Sequence, residues 1–185
     1  MPNRNIAVLV GSLRNGSYSR QVADALIALA PVGLKPHIVE IGDLPLYNQD
    51  LETETPPEPW TRFRNETRAA EGFIFVTPEY NRGLPAVLKN AIDVGSRPYG
   101  ASIFSGKPAA VISQSPGVYG GFGANHQLRQ SLVFLDMPVL QQPEAYLSKS
   151  NTAFDESGQL TNEETRGLLQ KLLTAFAGLL EKHAG

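Results

Sequence analysis

The sequence predicts an α/β fold in which a parallel sheet is covered by helices. Three observations carry this: apolar runs that are continuous rather than alternating, apolar residues at helical spacing between them, and Gly-, Ser- or Pro-rich loops at the junctions. A length of 185 residues, with 42% hydrophobic and 18% charged, fits one globular domain spanning 1–185.

Ile6–Val10 is an unbroken apolar run, as expected of a strand buried on both faces. After the loop at 11–17, Val22, Ala25, Leu26 and Leu29 recur at helical spacing until Pro31 and Gly33 end the pattern. The alternation then repeats. His37–Ile41, Phe73–Val76 and Ala109–Ser113 read as strands, and Pro59–Ala70, Pro85–Val94 and Ala124–Leu135 as helices. Met137–Leu140 reads as the fifth strand, and Asn162–His183, with Leu169, Leu172, Leu173 and Phe176 on one face, as the closing amphipathic helix. The Pro-rich stretch from Leu44 to Glu58 reads as an extended surface loop, and Asn151–Gly158 as a polar turn. Five strands and five helices fit a flavodoxin-like, three-layer doubly wound sheet with strand order 2-1-3-4-5.

Composition excludes several functions. Sixteen Lys and Arg against eighteen Asp and Glu leave a net charge of −2, too balanced for the basic footprint of a nucleic-acid binder. With no cysteine there is no thiolate nucleophile, iron–sulfur cluster or Cys-based zinc site, so much redox chemistry would need a bound organic cofactor. The first apolar run is too short for a signal-peptide core or a membrane span, so the expected protein is cytoplasmic, with no membrane insertion. His37, His126 and His183 are far apart and none lies in an H-E-x-x-H pattern, so no metal is expected.

In a doubly wound sheet ligands sit beyond the carboxyl ends of the strands, where the strand order reverses. The first such loop, Gly11-Ser12-Leu13-Arg14-Asn15-Gly16-Ser17-Tyr18-Ser19, spaces its glycines as a P-loop does. Ser17 and Tyr18 occupy the Lys and Ser/Thr slots, which disfavours a nucleoside triphosphate with magnesium. The remaining chemistry suits a monophosphate: backbone N–H groups at a helix start, hydroxyls at Ser12, Ser17 and Ser19, and the fixed charge of Arg14. A G-x-G-x-x-G dinucleotide fingerprint is absent after the strand.

The loop after the third strand, Thr77-Pro78-Glu79-Tyr80-Asn81-Arg82-Gly83-Leu84-Pro85, pairs an aromatic ring and an amide with stiffening prolines, which suits a flat ligand beside a phosphate. The loop after the fourth carries Gly117, Gly120, Gly121 and Gly123, which permit close approach of backbone to a ligand. Part of it imitates a nucleophile elbow around Ser115. Ser113 stands where the first glycine belongs, and Pro116 lacks the N–H needed for an oxyanion hole, so a serine hydrolase is rejected.

Gly11-Ser12-Leu13-Arg14-x-Gly16-Ser17, Thr77-Pro78-Glu79-Tyr80-Asn81, Leu88–Asp93 and Gln114-Ser115-Pro116-Gly117 follow one another in an order that resembles the NADPH-dependent FMN reductase family, nearest its quinone and chromate reductase branch. The pattern departs at Ser19, where many members carry Asn, and at Gly83, where Ser is frequent. The resemblance implies tightly bound FMN, NADPH or NADH as co-substrate, and a homodimer or homotetramer whose neighbouring subunit helps close the flavin site. By position, Ser12, Arg14, Ser17, Tyr18 and Ser19 would hold the phosphate within a loop that also contains Leu13, Asn15 and Gly16. Pro78, Glu79, Tyr80, Asn81, Ser115 and Gly117 would border the ribityl chain and the isoalloxazine.

For such an enzyme the cofactor carries the electron chemistry and no amino-acid nucleophile is required. Hydride passes from NAD(P)H to the flavin, and two electrons then pass to a quinone or similar acceptor, with chromate among the acceptors, by ping-pong kinetics. Backbone N–H groups of Ser115–Gly117, or an arginine such as Arg82 or one from a partner subunit, are expected to stabilise negative charge on the reduced ring. One rival is a non-enzymatic flavodoxin-like electron carrier, which typically docks through an acidic surface, and a charge of −2 argues mildly against it; a second is an FMN-independent nucleotide- or phosphate-binding regulator, supported only by the anion-binding chemistry of the first loop.

Overall fold

The computed structural model, which describes residues 3–183, builds its sheet from β1 (Arg4–Val10), β2 (Leu34–Ile38), β3 (Gly72–Thr77), β4 (Ala109–Gln114) and β5 (Ala145–Leu147). All four pairings are parallel and the order is β2-β1-β3-β4-β5, the flavodoxin-like order expected from the sequence. The helices are α1 (Tyr18–Ala28), α2 (Glu58–Arg68), α3 (Ala86–Gly95), α4 (Phe122–Phe134) and α5 (Glu163–Lys182). Residues 1–2 and 184–185, the ends of the expected 1–185 domain, lie outside the described residues.

The unbroken apolar runs are explained by burial on both faces. Alternate residues Ile6, Val8 and Val10 of β1, with Ile74, Val76 and Ile112, pack against Val22 and Leu26 of α1 and Leu172 and Phe176 of α5. Ala7, Leu9, Phe73, Phe75 and Val111 face the other way, onto Trp60 and Phe63 of α2, Leu88 of α3 and Leu128 of α4. Every residue of β3 and β4 is buried.

Two strands differ from the sequence reading. The second lies at Leu34–Ile38 rather than 37–41, with Pro36 inside it opposite Ile6. Proline lacks a ladder donor and is excluded from central strands, but β2 is an edge strand and tolerates it. The fifth strand lies at Ala145–Leu147 rather than 137–140. The earlier segment makes one parallel bridge, Ala109 to Val139, before Gln141–Pro143 interrupts it, and pairing with β4 resumes at Ala145.

The stretch 44–58 is irregular, as expected, but firmly attached. Asn90 of α3 donates to the Leu44 and Pro45 carbonyls (both 3.1 Å) and accepts from the Tyr47 N–H at 2.8 Å. Arg64 makes a paired contact with Glu52 at 2.8 and 2.7 Å and donates to the Val94 carbonyl. These bonds hold the loop against α2 and α3.

Candidate functional site

Three loops meet at the carboxyl edge of the sheet, flanking the reversal of strand order between β1 and β3. The first leaves β1 at Gly11, whose N–H donates to the Val76 carbonyl of β3. A Cβ on Gly11 would lie 3.2 Å from both Leu88 and Pro78, so the close seating of the first loop on the second favours glycine here.

From there the chain turns into α1. Ser17 is the N-cap, its Oγ accepting from the Arg20 N–H at 3.2 Å. Among the described residues, the N–H groups of Ser12, Leu13, Arg14, Asn15, Gly16, Tyr18 and Ser19 donate to no protein acceptor. Seven free donors thus lie within eight residues leading into a helix start, where the helix dipole adds positive potential. Arg14 is exposed, its guanidinium 5.7 Å from the Tyr18 ring centre and 3.5 Å from the Gly16 carbonyl. This is the donor set of an anion site.

Ser19 departs from the expectation that its hydroxyl faces a phosphate. It is completely buried, and its Oγ accepts from Gln114 Nε2 at 2.8 Å. Gln114 Oε1 accepts in turn from the Ser150 hydroxyl at 2.7 Å. Its position one residue into α1 turns the Ser19 side chain inward, so only its backbone N–H remains free. Gln114 ties α1, the end of β4 and the segment after β5 together, and nothing in its local sequence announces that role.

The second loop has Pro78 buried, Glu79 half-buried, and Tyr80 and Asn81 exposed. Tyr80 and Gly83 exchange both backbone hydrogen bonds (3.1 and 2.8 Å) around Asn81 (φ 51°) and Arg82 (φ 64°). Two successive left-handed residues without glycine make a tight turn that presents the Arg82 side chain outward. Glu79 is structural rather than free: one oxygen accepts from Arg82 at 2.8 Å, the other from the Ala124 N–H of α4 at 3.0 Å. A Cβ on Gly123 would come within 2.9 Å of that carboxylate and 2.8 Å of the Arg82 carbonyl, so the second and third loops interlock there.

In the third loop the expectation of free N–H groups at Ser115–Gly117 is not met. The Ser115 N–H donates to the Leu147 carbonyl at 3.0 Å, Pro116 has none, and the Gly117 N–H donates to Ser115 Oγ at 3.0 Å. Among the described residues, unpaired donors begin at Val118 and Tyr119. The rim here is aromatic: Tyr80, Tyr119 and Phe122 are each more than half exposed. Arg82 lies 4.9 Å above the Tyr119 ring centre, joining the two loops. Neither Tyr119 nor Phe122 was marked by the sequence motifs.

Beside this rim, the Tyr146 hydroxyl of β5 donates to Glu144 at 2.8 Å and lies 3.0 Å from His126 Nε2. Burial, followed by the hydrogen bond and charge of Glu144, pushes Tyr146 up to about 12. Its neutral form is favoured in the fold, so this contribution to stability is present below the ordinary value near 10 and is lost as pH rises through about 12. Glu144→Gln is expected to move Tyr146 ionisation to lower pH, read as tyrosinate absorbance against Tyr146→Phe; an unchanged titration contradicts the assignment.

A cavity of about 310 Å³ adjoins the first loop, lined by Ser12, Arg14, Asn15, Arg20 and Glu40 among others. Among the described residues no group of three His, Asp or Glu is arranged to hold a metal ion.

Residues 4–152 match the sequence profile of the NADPH-dependent FMN reductase family. The chain is 62% identical over 173 residues to a quinone reductase of Pseudomonas putida, covering 94% of this chain and 92% of that one. It is 43% identical to a 2-hydroxy-1,4-benzoquinone reductase of a Burkholderia species, over 93% of each chain. Among solved structures it is similar to FerB, a flavoenzyme NAD(P)H:(acceptor) oxidoreductase from Paracoccus denitrificans, with a TM-score of 0.90 at 40% identity over 97% of this chain and 98% of that one.

Proposed function

Because the chain belongs to the NADPH-dependent FMN reductase family, we propose that its three-loop site makes it an FMN-dependent NAD(P)H:quinone reductase whose two substrates use one open face in turn. The observation that carries this reading is the set of free N–H donors and Arg14 at the start of α1, beside an aromatic rim. Bound FMN would supply the redox chemistry, a two-electron transfer between NAD(P)H and the acceptor.

The chain's own residues do the rest. The N–H groups of Ser12, Leu13, Arg14, Asn15, Gly16, Tyr18 and Ser19, with the Arg14 guanidinium, hold the phosphate; the Ser12 and Ser17 hydroxyls lie in the same loop. Pro78, Glu79, Tyr80 and Asn81 on one side, and Ser115 and Gly117 on the other, border the ring. Glu79 does so indirectly, by fixing the second loop to α4. With the Ser115–Gly117 donors already engaged, Arg82 and the free N–H groups of Val118 and Tyr119 are the groups placed to stabilise developing negative charge.

Quinones are the proposed acceptors, with chromate a further one on the resemblance to the quinone and chromate reductase branch. The same reading takes the enzyme as a cytoplasmic homodimer or homotetramer. Tyr99, Val133 and Phe134 support the assembly: exposed by 91%, 71% and 81%, they are large apolar side chains of the kind subunit contacts cover. No helix among the described residues is long and apolar enough to cross a membrane.

Initial rates measured with NADPH varied at several fixed quinone concentrations are expected to give parallel double-reciprocal lines. Intersecting lines mean that both substrates bind together, and the shared-face reading then fails.

A further inference from the structure

We propose that Arg82 is a specificity-determining residue that biases the acceptor site toward planar acceptors carrying an ionised oxygen, such as hydroxyquinone anions, over neutral quinones. The inference rests on the reading of the site given above and adds to it the charge of the preferred acceptor.

Three observations carry it. Arg82 is held at the rim: the turn closed by Tyr80 and Gly83 presents it, and its guanidinium lies 4.9 Å above the Tyr119 ring centre. Its side chain is nonetheless 70% exposed, against 9% for Glu79, and of its donors only one N–H is engaged by Glu79, so the others are open to a ligand at the rim. Glu79, the carboxylate that pairs with it, does not cancel its charge. The second oxygen of Glu79 accepts from the Ala124 N–H in the first turn of α4, so one negative charge is shared between a full cation and a positive helix end. The rim therefore keeps positive potential beside the exposed rings of Tyr80 and Tyr119.

That combination suits a flat molecule with one in-plane anionic oxygen. The ring stacks on the aromatic rim, and the oxygen accepts charge-assisted hydrogen bonds from the guanidinium.

The test isolates the oxidative half-reaction. Wild-type, Arg82→Gln and Arg82→Lys holoenzymes are reduced photochemically without oxygen, then mixed with 1,4-naphthoquinone or with 2-hydroxy-1,4-naphthoquinone, which is ionised at neutral pH. The ratio of second-order rate constants, hydroxylated over neutral, is expected to fall about ten-fold in Arg82→Gln and to be largely retained in Arg82→Lys. In the wild type the same ratio is expected to fall as salt is raised. If Arg82→Gln changes both constants in proportion, Arg82 supports the turn or the reduced ring without discriminating between acceptors, and the proposal is overturned. It is equally overturned if both constants are unchanged and Arg82→Gln only slows flavin reduction when the oxidised holoenzymes are mixed separately with NADPH without oxygen, which places Arg82 on the donor. Wild-type enzyme that neither quinone reoxidises removes the reading of the site itself, and the proposal with it.

Discussion

Arg14→Ala is expected to weaken FMN binding by about ten- to one hundred-fold, the loss that follows from removing a charge-assisted contact of roughly 1.5–3 kcal/mol. The first loop has many N–H donors but Arg14 is its full positive charge, and Arg20, nearby on α1, is engaged with Asp24 at 3.4 Å. Folding is expected to be nearly unaffected, because Arg14 is exposed and its protein contacts are a 3.5 Å bond to the Gly16 carbonyl and the Tyr18 ring. The measurement is flavin fluorescence on titration of the apoprotein, with thermal unfolding of the apoprotein as control. Unchanged affinity would remove the phosphate from this loop.

Gln114→Leu is expected to cost about 2–4 kcal/mol of stability, because two buried hydroxyls lose their partner at once and each unmade bond costs about 1–3 kcal/mol. Ser19 and Ser150 are 0% and 1% exposed, so water cannot replace the amide. In a domain of this size that loss lowers Tm by roughly 5–15 °C. It also frees the start of α1 from the end of β4, so FMN affinity is expected to fall with stability. Gln114→Glu, which keeps the acceptor oxygen but not the donor, is expected to fall between the two. A Leu variant as stable as wild type would show that the bridge carries no energy.

Much of this was legible in the chain because the relevant signals are local. A strand buried on both faces must be apolar at consecutive positions, so Ile6–Val10 and Phe73–Val76 announced themselves, and their order along the chain implied the parallel sheet. The first loop was legible for the same reason: its glycine, its cap and its arginine lie within a few residues of one another. β5 was misplaced because three residues are too few to show a period, and Met137–Leu140 offered a stronger apolar signal. The inward turn of Ser19 was hidden because its partner is 95 residues away. The bond from the Ala124 N–H to Glu79 spans 45 residues, so the local sequence of the second loop does not show that its carboxylate also holds the first turn of α4. The Arg82–Tyr119 contact is likewise made by tertiary packing alone.

The most direct test of the central claim is the visible absorbance of the FMN-loaded protein, followed without oxygen through addition of NADPH and then of a quinone. A flavin spectrum that bleaches with NADPH and returns with the quinone is expected. Bound flavin that NADPH leaves oxidised, or a protein that takes up no flavin, would contradict it.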